Sequence, residues 1–390
     1  KDPSITSGSP FINEDSDKQK AYNDAVQAAK DLINQTSNPT LDKQKVEEAL
    51  HNIQNAVNDL HGDDKLNQSK QDANDQLTHL NNLTEEQKNH FKTLIDDAET
   101  RGDVNKQVAL AKRLDDDMGI IKGLIGEKDK VHQSMDYINA DDATKQAYDN
   151  AIKEAEDLIN NHPDNLDHKI IEDLANKIEQ AQQHLNGQER FDQAQKNALR
   201  ELDAQDSLNT PQRETFKTNI NQATTLDGLD QELQKAKELN TAMKLMRESI
   251  ADQDDIRHSS NYTNEDPAQQ HTYEEAVNNV NAIISENTAT MDPQTINQTT
   301  QAVANAKRGL QGDQKLQDAK NNAKQEIQNS TGLTDVQKQT LNNAIDQLTN
   351  RPSVSKKLQD AKYLNSKMEE LKATIAKAPA IRQSSNYINE

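Results

Sequence analysis

Residues 104–131 read VNKQVALAKRLDDDMGIIKGLIGEKDKV, with apolar side chains at Ala111, Leu114, Met118, Ile121 and Ile125. Steps of three, four, three and four place them on one face of an α-helix, and Val131 follows six residues on. The same pattern returns late in the chain as Ala361, Leu364, Met368, Leu371, Ile375, Ala378 and Ile381. No proline interrupts Val104 to Tyr137, although Gly119, Gly123 and Gly126 each weaken a helix by about 1 kcal/mol relative to alanine. About 30 residues of helix span about 45 Å at ~1.5 Å per residue. The neighbouring periodic segments allow helices of only about 20 residues. A helix that outruns its neighbours can pack at one end with the two helices before it. Its other end is free for the two helices that follow. Such a shared helix would join successive three-helix bundles without a flexible linker.

The two versions of that stretch belong to a wider repetition. Phe11-Ile12-Asn13 recurs as Tyr137-Ile138-Asn139, Tyr262-Thr263-Asn264 and Tyr387-Ile388-Asn389, in steps of 126, 125 and 125 residues. Leu60-His61-Gly62 returns as Leu185-Asn186-Gly187 and Leu310-Gln311-Gly312. A period near 125 is too long for a solenoid unit of about 20–50 residues and suits one domain or two small ones. Ile5 aligns with Val131, Ile256 and Ile381, the tail of a unit. The register predicts a stretch of a longer array.

Each repeat reads as five helices. The first carries Tyr22, Val26, Ala29 and Ile33, then Tyr148, Ile152, Ala155 and Ile159, then Tyr273, Val277, Val280 and Ile284. Copies stay apolar on this face and vary elsewhere, as a core stripe should. The second helix is expected to be N-capped by Asp42, Asp167 and Asp292, whose carboxylates accept free first-turn amides. Leu41 with Val46, Leu166 with Ile171 and Met291 with Ile296 are placed for hydrophobic staples. Gly62 and its counterparts are expected to close this helix in the left-handed conformation. The third helix carries Leu66, Ala73 and Leu77, and the fourth opens on capping boxes at Thr84 with Gln87, Asn209 with Gln212 and Thr334 with Gln337. The fold expected is all-α: tandem three-helix bundles joined end to end by long shared helices into an elongated, monomeric rod.

Composition limits the functions available. The 390 residues carry a net charge of −21 with 32% apolar and 3% aromatic content, and no Cys or Trp. Thin bundles have much surface per residue, so they fold with less apolar content than a thick globule. The absence of Cys rules out disulfides, thiol catalysis and cysteine-ligated zinc. No run of about 18 apolar residues occurs, so this segment is not expected to insert into a membrane. The acidic balance argues against nucleic acid as a partner.

AYNDAVQAAKDLI, AYDNAIKEAEDLI and TYEEAVNNVNAII, in the first half of each repeat, resemble the FIVAR modules of Gram-positive surface proteins. The second half is similar to the GA module in Leu83-Thr84-Glu85-Glu86-Gln87-Lys88 with Asp103-Val104, and in Leu333-Thr334-Asp335-Val336-Gln337-Lys338. The middle copy departs from this at Asn209-Thr210-Pro211-Gln212-Arg213. The resemblance divides the chain into FIVAR-like modules at 10–62, 136–187 and 261–312 and GA-like modules at 63–135, 188–260 and 313–386. Residues 387–390 would start the next repeat. It implies an extracellular, cell-wall-associated adhesin with fibronectin or another matrix protein as the ligand class. Some GA modules bind albumin through aromatic residues just after the cap of their second helix. Here Glu86-Gln87, Gln212-Arg213 and Val336-Gln337 stand there, so albumin is not expected as a partner.

No constellation of catalytic type stands out, and no enzyme activity, cofactor or metal is expected. No ligand-binding residue is assigned. The ten histidines are scattered and read as solvated. Asp115-Asp116-Asp117 looks like a metal cluster in text, but consecutive helical residues point about 100° apart, so a solvated face is the expectation. Tyr22, Tyr148 and Tyr273 read as core, and Tyr137, Tyr262 and Tyr387 as locks between units. Three functions compete: a stalk with adhesin character, a dedicated host-protein-binding module of albumin type, and an intracellular spectrin-like scaffold. The lack of Trp and the five-helix unit speak against the scaffold.

Overall fold

The computed structural model describes residues 2–285, 287 and 289–388, and every regular element among them is an α-helix. Asn389, Glu390 and the side chain of Tyr387, which open the fourth copy in the sequence, lie outside the described residues. The chain divides into two compact units, residues 1–191 and 192–390.

The first unit begins with α1 (Asp2–Thr6), α2 (Ser9–Ile12), α3 (Ser16–Ile33) and α4 (Lys43–Asn58). α3 and α4 pack as a pair, with Tyr22 buried between them and the chain around it. α5 (Gly62–Thr78), α6 (Glu85–Asp96) and α7 (Arg101–Gly126) form a three-helix bundle. α8 (Lys128–His132) and α9 (Met135–Ile138) lead into α10 (Asp142–Asn161), α11 (His168–Gln183) and the start of α12 (Gly187–Asp203). α7 packs against α5 and α6 and also against α10 and α11. One continuous core therefore runs from Leu77 and Phe91 through Leu114 and Ile121 to Ile152 and Ile178. Each such aliphatic side chain contributes about 1.5–3 kcal/mol when fully removed from water.

The second unit holds the rest of α12, then α13 (Thr210–Gln222), α14 (Leu226–Ser249), α15 (Gln253–His258), α16 (Ser260–Thr263), α17 (Pro267–Ile284) and α18 (Pro293–Gly309). It continues through α19 (Gly312–Gln328), α20 (Asp335–Asp346), α21 (Arg351–Arg382) and α22 (Ser385–Ile388). α14 repeats the role of α7, packing on α13 and on the α17–α18 pair. Leu239, Met243 and Met246 on its seam are fully buried. α21 packs with α19 and α20.

Most local expectations hold. Asp42, Asp167 and Asp292 each accept two first-turn amides, and all three capping boxes close in both directions. Three details differ. The shared helix is not continuous to residue 137: α7 ends at Gly126, and a turn at Glu127 starts α8. α14 ends likewise at Ser249, whereas α21, whose later seam is uncovered here, runs to Arg382 through Pro379. The break returns Val131 to the core, and Gly123 and Gly126 make it inexpensive. Gly62, Gly187 and Gly312 have no positive φ and do not close the preceding helix. They are the first residues of α5, α12 and α19, where a Cβ would meet the carbonyl oxygens of Pro10, Asp136 and Asn261 at 2.2–2.3 Å. Close approach, not a left-handed turn, demands glycine there. The first staple does not form as a buried pair, since Leu41 is 97% exposed.

Candidate functional site

What this chain builds with its polar side chains is joints. The first kind ties the α2 segment to the bundle that follows it. Asn13, the last residue of the first sequence marker, is buried. Its Oδ1 accepts from Arg101 N at 2.8 Å and its Nδ2 donates to Glu99 O at 3.1 Å. The side chain of Glu14 is also buried and accepts from the backbone amides of Asp15 and His61. Lys65 bridges Glu14 and Asp15, and Arg101 Nη1 donates to Asp15 Oδ1 at 2.7 Å. The third copy repeats this clasp with Asn264, Glu265, Asp266, Lys315 and Arg351, the last donating to Asp266 Oδ1 at 2.7 Å. Burial alone would raise the Glu14 and Glu265 carboxyls. The paired lysines and backbone amides outweigh it and hold both below the usual range.

The middle repeat carries Ala140 and Leu226 where the others have glutamate and arginine. There Asp141 exchanges hydrogen bonds with Asn186, and Arg190 Nη1 donates to Asn139 O at 2.8 Å. Nothing in the linear text marks the clasp as a unit. The signal available was the asparagine of each marker, unchanged while its neighbours vary.

The second kind of joint ties each of the first two GA bundles to the repeat that follows it. Gln87 closes its capping box and also donates Nε2 to Asn165 O at 2.7 Å, in the loop between α10 and α11. Thr84 Oγ1 donates to Pro163 O in the same loop. In the second unit Gln212 Nε2 donates to Thr290 O at 2.7 Å, and Asn209 Nδ2 to Ile283 O and Ser285 O at 3.0 Å each. Gln87 and Gln212 are therefore buried rather than presented, which corrects their reading as surface residues. Arg213 is spent on the carbonyls of Leu202, Asp203 and Gln205. Glu86, Val336 and the third capping box remain accessible, with Val336 74% exposed.

Tyrosines lock the turn between α9 and α10 and its counterpart. Tyr137 Oη donates to Asp149 at 2.8 Å and meets the buried Tyr148 edge-on, with ring centres 6.1 Å apart. Tyr262 does the same with Glu274 at 2.8 Å and Tyr273 at 5.8 Å. Desolvation, then the neighbouring carboxylate, pushes the Tyr137 phenol up to about 12. Tyr22, Tyr148 and Tyr273 are core, as their spacing predicts.

Two of the three consecutive aspartates are not solvated. Asp115 Oδ1 accepts from Asn82 N and Leu83 N at 2.7 and 3.1 Å, fixing the turn before α6. Asn240 and Asn365 repeat that role toward Ser207 N and Gly332 N, a device the sequence reading missed. Asp117 is largely buried opposite His168 at 3.8 Å, and desolvation raises its carboxyl. Asp116 is exposed, and the three do not converge. His132 is not solvated either: it pairs with Asp149 at 2.8 Å and lies against Tyr137. Among the described residues no group of three potential metal ligands comes together, and no helix is long and apolar enough to cross a membrane.

Bundles that hold long helices in common, fastened by recurring polar joints, define an all-α tandem-repeat segment of two alternating modules. The FIVAR domain family matches residues 1–61, 117–186, 242–311 and 367–390, and the GA module matches 63–117, 188–242 and 313–367. The chain belongs to the FIVAR domain family, with GA modules alternating. It is 36% identical over 388 residues to the extracellular matrix-binding protein ebh of Staphylococcus aureus strain MRSA252. It is likewise 36% identical over 387 residues to the extracellular matrix-binding protein EbhA of strain Mu3. Both alignments cover 99% of this chain, which spans only 4% and 6% of those relatives' lengths. A crystallised domain of EbhA from Staphylococcus aureus superposes with a TM-score of 0.59 at 25% identity, covering 63% of this chain and 98% of that one.

Proposed function

We propose that this chain is a non-enzymatic spacer segment of a cell-wall-associated surface protein, with weak affinity for an extracellular matrix protein, fibronectin being the candidate. The observation that carries the spacer reading is the double use of α7 and α14. Each closes two successive bundles, so no flexible linker separates a GA module from the helices that follow it. The polar joints add restraint at the other junctions. The matrix reading draws on relatives named for matrix binding.

Small-angle scattering tests the spacer. A compact globule of this length would have a radius of gyration of about 21 Å, and a spacer should clearly exceed that value. A value near the compact figure rejects the spacer. For the matrix reading, immobilised fibronectin should retain one chain poorly and tethered multiples of it far better, because tethering raises effective concentration. Retention that does not grow with repeat number rejects it. The albumin-type alternative is disfavoured, because two of the three capping regions are engaged by the next repeat's loop.

A further inference from the structure

The second FIVAR module carries an open cavity whose twin in the third is filled from within the chain. The cavity, of about 560 Å³, lies where the end of α7, α8 and the start of α9 meet the last turns of α11. It sits well inside the sequence, with α5–α7 before it and α12 after it both in place. Val131 and Leu185, both buried, and the half-buried Leu124 supply its apolar wall. Glu127, Glu179 and Asp136 stand around it, and Lys130 is the one cation of its lining. Among the described residues Glu127 and Glu179 pair with no side-chain cation, while Asp136 Oδ1 accepts from Gln188 N at 3.1 Å. In the third module Asp252 stands in the place of Glu127, and Lys307 in that of Gln182. There Lys307 Nζ donates to Asp252 Oδ1, and the lysine side chain is only 23% exposed. Ile256 and Leu310 repeat Val131 and Leu185.

The geometry points to this cavity as a binding site for a lysine side chain presented by another polypeptide. The chain itself supplies the chemistry. At the equivalent place the third module seats a lysine against a carboxylate, and here the carboxylate is kept while glutamine stands where that lysine was. A lysine suits such a site because its four-carbon stem packs on apolar surface while its ammonium reaches a carboxylate at the rim. The other differences between the twins favour the same occupant. Glu179 and Asp136 stand where the third module has Ala304 and Asn261, which adds two carboxylates. Leu124 stands where it has Ser249, which adds apolar wall. Lys130, in the place of Asp255, runs against this trend and leaves three carboxylates facing one ammonium. A single side chain makes few contacts, so one lysine binds with a Kd on the order of 1–10 mM. The site is defined by its own residues and does not rest on the matrix reading.

Methyl-resolved NMR of the intact chain tests this, with an end-blocked tripeptide of lysine between two glycines as the probe. Titration to about 20 mM at constant ionic strength brackets Kd values of that order. The methyl signals of Leu124, Val131 and Leu185 should shift saturably. The same peptide with norleucine keeps most of the stem and lacks the ammonium, and should bind about five-fold more weakly or not at all. Gln182→Lys supplies from within the side chain that the third module uses, so it should abolish the shifts. Residue 182 lies at the cavity, and unchanged helical content by circular dichroism should confirm that this variant folds. Glu127→Gln, at an exposed carboxylate, should weaken binding about two- to five-fold. A native chain with no saturable shift at these methyls overturns the proposal, as does an equal response to the norleucine peptide. Undiminished shifts in Gln182→Lys would place the peptide outside the seat that Lys307 marks, and overturn it too. Glu127→Gln binding as tightly as the native chain rejects this carboxylate as the seat of the ammonium, and the proposal with it.

Discussion

A Cβ at Gly187 would sit 2.3 Å from the carbonyl oxygen of Asp136 and 2.4 Å from that of Met135, so backbone must move to admit it. Gly187→Ala is therefore expected to cost about 1–3 kcal/mol by overpacking. Gly123, exposed within α7, has nothing within 4 Å of the same added atom. Gly123→Ala should stabilise by about 0.5–1 kcal/mol through helix propensity. Thermal melts of the two variants should shift in opposite directions, and a shared sign would contradict the close-approach account. The clasp residues give the pH dependence. Glu14 and Glu265 titrate below their unfolded value of about 4.3. A depressed acid stabilises the fold above its unfolded pKa, and that contribution is lost as pH falls through the folded one. The amides of His61 and Gln311, which donate to these carboxylates, should lose exchange protection on acidification below about pH 4. Asn186, at the equivalent position beside Ala140, has no such acceptor and should change less. Equal loss at all three would remove the glutamates as the cause.

At the scale of elements, the shared helix makes the sharpest demand. Leu114 is fully buried in the core that joins α5–α7 to α10–α11. Leu114→Ala should cost about 2–5 kcal/mol. Hydrogen exchange should register the loss in α6 and α11 together while leaving α3–α4 protected. A loss confined to α5–α7 would mean that the two bundles are energetically separate despite the common helix. The stripes, caps and capping boxes were legible in the sequence because each is local: a period of 3.6, or a side chain three residues from the amide it receives. The break at Glu127 was not, since it depends on Val131 turning back into the core. The clasp was not legible either. Asn13, Glu14 and Asp15 meet Lys65 and Arg101 across 50–88 residues, and only the fold supplies that proximity. Asp115 shows the same limit: a polar residue on a long helix reads as solvated until the turn before α6 is found resting on it.

For the whole molecule, repetition turns one local fact into a statement about ligands. Interfaces of the albumin-binding kind need a few apolar or aromatic anchors in a region that is free to be covered. In the first module that region is engaged through Thr84 and Gln87 by the α10–α11 loop, and in the second through Asn209 and Gln212 by the α17–α18 loop. Removing those contacts to admit a ligand would leave buried amides unpaired, at about 1–3 kcal/mol for each group. In the third module the capping box is accessible, but Val336 is its one apolar contribution, beside Gln337. The net charge of −21 also slows approach to an acidic protein such as albumin. Calorimetric titration at physiological salt should therefore find no albumin site tighter than about 10 μM, equivalent to about −7 kcal/mol. A submicromolar site would refute this, and Val336→Glu would locate it: loss of binding assigns it to the third module. Persistence would mean that the joints at Gln87 or Gln212 open more readily than their hydrogen bonds imply.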